Sequence, residues 1–139
     1  MRLFVLDTDT LVLFQDGHPT VRHNVLSQPP MDLATTVITV EEQLSGWYSL
    51  LRRAKGKTKL AHAYQRLADT ALALADFSIL SFTESAIDRF EQLKTLKLGV
   101  RHMDLRIAAI TLEHGGTLVT RNVRDFVNIP SLAIEDWSK

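Results

Sequence analysis

The chain has no cysteine. That excludes thiolate nucleophiles, cysteine-held zinc and disulfides, and the five histidines form neither an HxH nor an HExxH spacing. Carboxylates remain as the groups able to carry chemistry, and oxygen donors of that kind suit hard cations such as Mg²⁺ or Mn²⁺. An excess of charge is also missing: 16 basic and 16 acidic residues give a formal net charge of zero. A nucleic-acid partner would have to be held by a local basic patch rather than by overall charge. Long apolar runs are absent too. None approaches the roughly 20 residues that span a bilayer, and the first one, Leu3 to Leu6, meets Asp7 too soon for a signal peptide. The expectation is a cytoplasmic protein with no membrane segment.

The 139 residues, 45% of them hydrophobic, predict one globular domain over 1–139, burying roughly 65–70% of its unfolded surface. Arg2 to Leu6 is continuously apolar after its first residue, as expected of a central strand covered on both faces. A polar, helix-compatible stretch runs to about Leu26, Gln28-Pro-Pro30 breaks it, and Leu33 to Thr36 forms a second short apolar segment. From Thr39 the period becomes helical through Val40, Leu44, Trp47 and Leu51, with Thr39 as N-cap and Glu42 three residues on completing a capping box. Gly56 ends that helix. A second helix from about Lys59 to Leu74 pairs with it as a hairpin. Phe77 to Leu80 reads as a strand, Glu84 to Leu96 as an amphipathic helix, and Leu105 to Leu112 as a buried helix closed by Gly115 and Gly116. Thr117 to Thr120 and Leu132 to Ile134 complete the strands. Alternation of this kind predicts an α/β domain with a mostly parallel central sheet of four to five strands flanked by helices, its sites lying beyond the carboxyl ends of the strands.

Four acids, Asp7, Glu42, Asp104 and Asp125, fall where an apolar run meets a turn or a new helix. Each has a structural alternative. Asp7 and Asp104 can cap the helices that follow them, Glu42 can serve the capping box, and Asp125 can be a turn residue. Glu42 has small neighbours in Ser45, Gly46 and Ser49, which leave it open to a cleft. Glu41 points about 100° away, so one of the two should face the site. For Trp47, Tyr48, Leu50 and Leu51 the leading expectation is core packing, with a groove for a partner helix as the alternative.

Taken in order, Leu6-Asp7-Thr8-Asp9, Ile38-Thr-Val-Glu-Glu42 with Gly46, Met103-Asp104-Leu-Arg-Ile-Ala-Ala109, Leu118-Val-Thr-Arg-Asn122 with Asp125-Phe126, and the ending Ile129-Pro-Ser-Leu-Ala-Ile-Glu-Asp-Trp137 resemble the motifs of PIN-domain ribonucleases. The likeness is to the VapC-like toxins of bacterial toxin–antitoxin pairs and runs from the first strand to the C-terminus. It implies a PIN-like, Rossmann-like three-layer fold and Mg²⁺- or Mn²⁺-dependent hydrolysis of RNA. Its acidic positions map onto Asp7, Glu42, Asp104 and Asp125 as catalytic and metal-holding residues, with Glu42, four residues before Gly46, preferred over Glu41. Thr120 matches a small hydroxyl position beside the site and Asn122 a polar one. Where the family commonly has Asn two residues after the first aspartate, this chain has Asp9. A cognate antitoxin covering the site and a homodimer are the implied partners.

The chemistry agrees with that reading. Like charges about 4 Å apart repel by ~4 kcal/mol at an effective dielectric of 20, so clustered carboxylates need a cation or must take up protons. For holding RNA, Arg121 and Arg124 lie nearest the acids in sequence, and Arg52 and Arg53 open the densest basic run, which ends at Lys59. Two rival readings stand beside this one. Asp7-Thr-Asp9-Thr10 also resembles the DxDx(T/V) motif of haloacid-dehalogenase-like phosphatases, with Asp7 as nucleophile and Asp9 as general acid/base, although no GDxxxD-type motif follows. The other rival is a non-catalytic RNA- or partner-binding module.

Overall fold

Side chains alternate across a strand, and the first strand shows why its sequence does not. In the computed structural model, which describes residues 2–139, Phe4–Leu6 form β1 with all three residues buried. Phe4 and Leu6 enter one hydrophobic cluster and Val5 another. A strand covered on both faces needs no polar positions.

β1 pairs with β2 (Leu33–Thr36) on one side and β4 (Thr117–Val119) on the other; β3 (Ser78–Leu80) and β5 (Ala133–Glu135) form the edges. The order is β3-β2-β1-β4-β5, and every pairing is parallel. Seven α-helices complete the described residues: α1 (Thr8–Gln15), α2 (Pro19–Leu26), α3 (Val37–Arg53), α4 (Lys57–Leu74), α5 (Glu84–Thr95), α6 (His102–Glu113) and α7 (Val123–Phe126). Leu11, Val21, Val25 and Leu74 cover the face of Phe4 and Leu6, with the Trp137 ring tilted against Phe4 at 5.0 Å between ring centroids. Ile38, Phe90, Leu93 and the apolar side of α6 cover the face of Val5. The result is the expected three-layer α/β fold with a parallel sheet. No helix among the described residues is long and apolar enough to cross a membrane.

The chain runs outward from β1 through β2 to β3 and then crosses back to place β4 on the other side of β1. Connections leaving β1 and β4 therefore part in opposite directions, which opens a crevice at the carboxyl ends of those two strands. The seam between them is tight. A Cβ added at Gly116 would meet Val5 Cγ2 at 3.1 Å and the Leu3 carbonyl oxygen at 3.2 Å.

Several boundaries differ from the sequence reading, each for a local reason. The polar stretch after β1 is two helices, parted at Asp16 and Gly17, whose φ of +82° suits glycine. α3 starts at Val37, because Thr36 and not Thr39 is the N-cap: the Thr39 N–H donates to Thr36 Oγ1 at 3.2 Å. The expected box between Thr39 and Glu42 does not form. α3 ends at Arg53, and Gly56 stands instead at the N-cap of α4. α6 begins at His102, so Asp104 lies inside its first turn and does not cap it. The stripe from Trp47 to Leu51 is not core. Its members are half-buried, and Tyr48 is exposed, because the buried residues of α3 are Ile38, Thr39 and Gln43.

Candidate active site

Asp7 follows β1 directly and is the N-cap of α1, its Oδ1 accepting from the Thr10 N–H at 2.9 Å. Its own N–H donates to the Val119 carbonyl at 3.1 Å, and the Thr10 hydroxyl reaches the same carbonyl at 3.1 Å. Asp7 is thus fastened to the end of β4 by backbone as well as side chain. The capping role and the cleft-facing role coexist in one residue. Only 4% of Asp7 is exposed, and burial pushes its carboxyl above the ordinary 3.8, with the neighbouring Asp9 charge adding to the rise. Hydrogen bonds from Thr120 and Thr10 oppose the rise without cancelling it. Thr120 is fully buried at the end of β4, and its hydroxyl accepts from the Asn122 N–H at 3.0 Å.

Glu42 comes from the second turn of α3. One oxygen accepts from the Thr8 hydroxyl at 2.7 Å, and Thr8 also lies 3.0 Å from Thr39 Oγ1. A hydroxyl has one proton to give, so Thr8 directs it to the acceptor-only carboxylate and accepts from Thr39. Glu41 is exposed and lines a separate shallow hollow with Leu44 and Tyr48. Asp104, on α6, has both oxygens on the Arg101 guanidinium, at 3.1 Å each, and the other Glu42 oxygen stands 3.7 Å from the same group. Hydrogen bonding to Asp104, then the charge of Asp104, push Arg101 further up from an already basic value.

These residues share one cleft of about 260 Å³. Asp7, Asp9, Glu42, Asp104 and Asp125 all line it, together with Thr8, Asn122 and Arg101. Asp125 is an exposed residue of α7. Asp9 is about half-exposed and engaged by Arg121 Nε at 3.3 Å, so it is neither buried nor free in the way a general acid/base is. Arg121 thus stands at the rim, and Arg124 is an exposed neighbour on α7. Arg52 and Arg53 are not brought to the acids: Arg53 lies 11 positions beyond Glu42 on α3, roughly 16 Å along a helix. A larger cleft of about 480 Å³ shares Thr8 and Glu42 with the acid site and runs along Gly46, Trp47 and Leu50 to Arg53.

The donor set suits a hard cation, being wholly oxygen. The ion pairs of the cleft take in Glu42, Asp104 and Asp9 and leave out Asp7, the buried one. Its unneutralised charge is the feature that fits a metal. Among the described residues, however, no three acids or histidines stand as a closed ligand set, and Arg101 occupies the space between Glu42 and Asp104. Sequence reasoning missed Arg101 and Thr8. The spacing of Arg101 three residues before Asp104 was the available signal.

Comparison with known proteins places this geometry in context. The family profile of the PIN domain matches residues 4–132. Ribonuclease VapC2 of Rickettsia felis is 26% identical over 143 residues, covering 99% of both chains. The crystal structure of VapBC2 from Rickettsia felis, bound to a DNA fragment from their promoter, superposes with a TM-score of 0.77 at 24% identity, covering 97% of this chain and 98% of that one. A toxin–antitoxin complex from Klebsiella pneumoniae superposes with a TM-score of 0.69 at 26% identity, covering 93% and 94%.

Proposed function

The chain belongs to the PIN-domain family, and from that premise we propose that it is an endoribonuclease that hydrolyses RNA phosphodiester bonds with Mg²⁺ or Mn²⁺, acting as the toxin of a toxin–antitoxin pair in the cytoplasm. One observation carries the reading: five carboxylates converge on one cleft at the carboxyl ends of β1 and β4, and the most buried of them, Asp7, has no basic partner. The likeness to a ribonuclease over nearly the whole chain supports RNA as the substrate. The phosphatase reading has no such support, since it rests on Asp7 to Thr10 alone.

Asp7 and Asp104 would hold the cation, with Asp125 and Glu42 completing the site. When bound, the ion neutralises charge at the scissile phosphate and lowers the pKa of a bound water. Thr8 holds the Glu42 carboxylate in place, leaving its second oxygen turned toward the cleft, where it can orient the attacking water or take its proton. Thr120 fixes the neighbourhood of Asp7 while accepting from the Asn122 backbone, and Asn122 supplies an amide to the lining. Arg121 and Arg124 at the rim are suited to phosphate. The larger cleft along Trp47 and Leu50 would take the antitoxin, in keeping with the likeness to toxin–antitoxin complexes, and the active unit would be a homodimer.

The test is cleavage of structured RNA and of a small phosphate ester, with Mg²⁺ or Mn²⁺, by wild type, Asp104→Asn and Asp9→Asn. RNA cleavage should fall by about 100-fold or more in Asp104→Asn and be largely kept in Asp9→Asn, whose ion pair is exposed and weak. Phosphatase activity lost with Asp9→Asn would favour the rival. Absence of both metal-dependent RNA cleavage and Mn²⁺ binding in the wild type would sink the nuclease reading.

A further inference from the structure

Arg101 is the one basic side chain among the described residues that line the acid cleft. We propose that it is an internal substitute for the divalent cation: its guanidinium holds Glu42 and Asp104 together in the metal-free protein, gives them up when the cation enters, and then grips a substrate phosphate. The inference rests on the metal-dependent nuclease reading above.

Three features of the residue carry it. Its guanidinium bridges the two acids that come from different helices, α3 and α6, with Nε and Nη2 on the two Asp104 oxygens and Nη2 also facing Glu42. Without that bridge, the two carboxylates would share the cleft with only the Thr8 hydroxyl on Glu42 to offset their repulsion. The backbone is fixed, while the side chain is held only at its guanidinium. Arg101 is the residue before α6, its carbonyl accepting from the Leu105 N–H at 2.9 Å, yet 67% of its side chain is exposed. It can swing away without disturbing the core, and the two carboxylates it leaves, 21% and 16% exposed, would then need the charge of a divalent ion in its place. Finally, Asp7 is outside the bridge. A cation can therefore first engage the buried, unpaired carboxylate and then contend with the guanidinium for the other two. Once displaced, a planar two-pronged donor at the cleft wall matches the two oxygens of a phosphate, which a lysine would not.

The experiment titrates Mn²⁺ into metal-free full-length wild type, Arg101→Met, Arg101→Lys and Arg89→Met, followed by calorimetry and by the melting temperature with and without Mn²⁺. Arg89 pairs with Glu113 away from the cleft and controls for the loss of one positive charge. Arg101→Met should bind Mn²⁺ about three- to tenfold more tightly than wild type. Arg101→Lys should fall between them and Arg89→Met should match wild type, and Mn²⁺ should raise the melting temperature most in Arg101→Met. At saturating Mn²⁺, Arg101→Met should cleave RNA with a raised KM and a smaller change in kcat. If Arg101→Met binds Mn²⁺ no more tightly than wild type, or if Arg89→Met shows the same gain, the substitute role is overturned while RNA cleavage by the wild type keeps the nuclease reading intact. Tighter Mn²⁺ binding with an unchanged KM overturns the phosphate contact. A wild type that neither binds Mn²⁺ nor cleaves RNA overturns both the inference and the reading beneath it.

Discussion

Asp7 and Asp104 face the same cleft under opposite conditions. Asp7 stands at a strand end, buried, tied by its backbone to β4 and unneutralised. Asp104 stands on the first turn of a helix, 16% exposed at its side chain, with a guanidinium across both oxygens. Glu42 belongs with Asp104, since it too is helix-borne and held by side chains. One half of the site is therefore fixed by the sheet and is electrostatically costly. The other is adjustable and already satisfied. On the proposed metal-dependent reading, a cation would gain most from the first half and would have to rearrange the second.

Replacing Asp7 by Asn tests that contrast most severely. RNA cleavage should fall by about 100-fold or more, while the metal-free protein becomes more stable by about 1 kcal/mol, as is common when an unfavourable active-site charge is removed. The pH dependence has a definite sign. Because its folded pKa is raised, Asp7 holds a proton in the folded chain where the unfolded chain has released it, so its stabilising contribution is present below 3.8 and is lost as pH rises through the folded value. The melting temperature of wild type should drop relative to Asp7→Asn over that window, and a constant gap would show that Asp7 is not the strained half.

The adjustable half is tested by Thr8→Val, which keeps the shape and removes the donor to Glu42. Without that donor Glu42 is less well placed to handle the attacking water, so kcat should fall by about tenfold, with little change in urea stability because both groups lie at the cleft wall. A loss of global stability instead would mean that Thr8 serves the fold rather than Glu42. The smallest change in chemistry is Gly116→Ala. The added Cβ would press on Val5 and the Leu3 carbonyl at the β1–β4 seam, at a cost of about 1–2 kcal/mol in urea unfolding. Gly116 and Leu3 precede the strands that Asp7 and Thr120 follow, so the loss should appear in stability and leave RNA cleavage by the folded protein nearly unchanged.

How much of this was legible follows the same division. The strand-borne half could be read because a doubly covered strand is continuously apolar and stops at a polar residue, so Phe4 to Leu6 and then Asp7 are visible in the sequence. The helix-borne half was obscured by first turns, which carry polar residues and so begin before the apolar period does. His102, Met103 and Asp104 precede the buried stretch of α6, which made Asp104 look like a cap and hid its pairing with Arg101. The same effect shifted the start of α3 from Thr39 to Val37. Periodicity showed that Trp47 and Leu50 share a side of α3, but not that α4 would leave that side open as a cleft wall, because coverage depends on the packing of a second helix.

The last strand has a consequence for timing. The Thr120 N–H, beside Asp7, donates to the Glu135 carbonyl of β5 at 2.9 Å, and Trp137 packs on Phe4 of β1. Residues made early are thus completed by residues made much later, Phe4 and Trp137 through a contact of large sequence separation. During synthesis, which proceeds from the N-terminus, Asp7 and Glu42 emerge long before the elements that close the cleft around them. A growing chain therefore carries Asp7 and Glu42 before α6 and α7 have supplied Asp104 and Asp125 to the cleft.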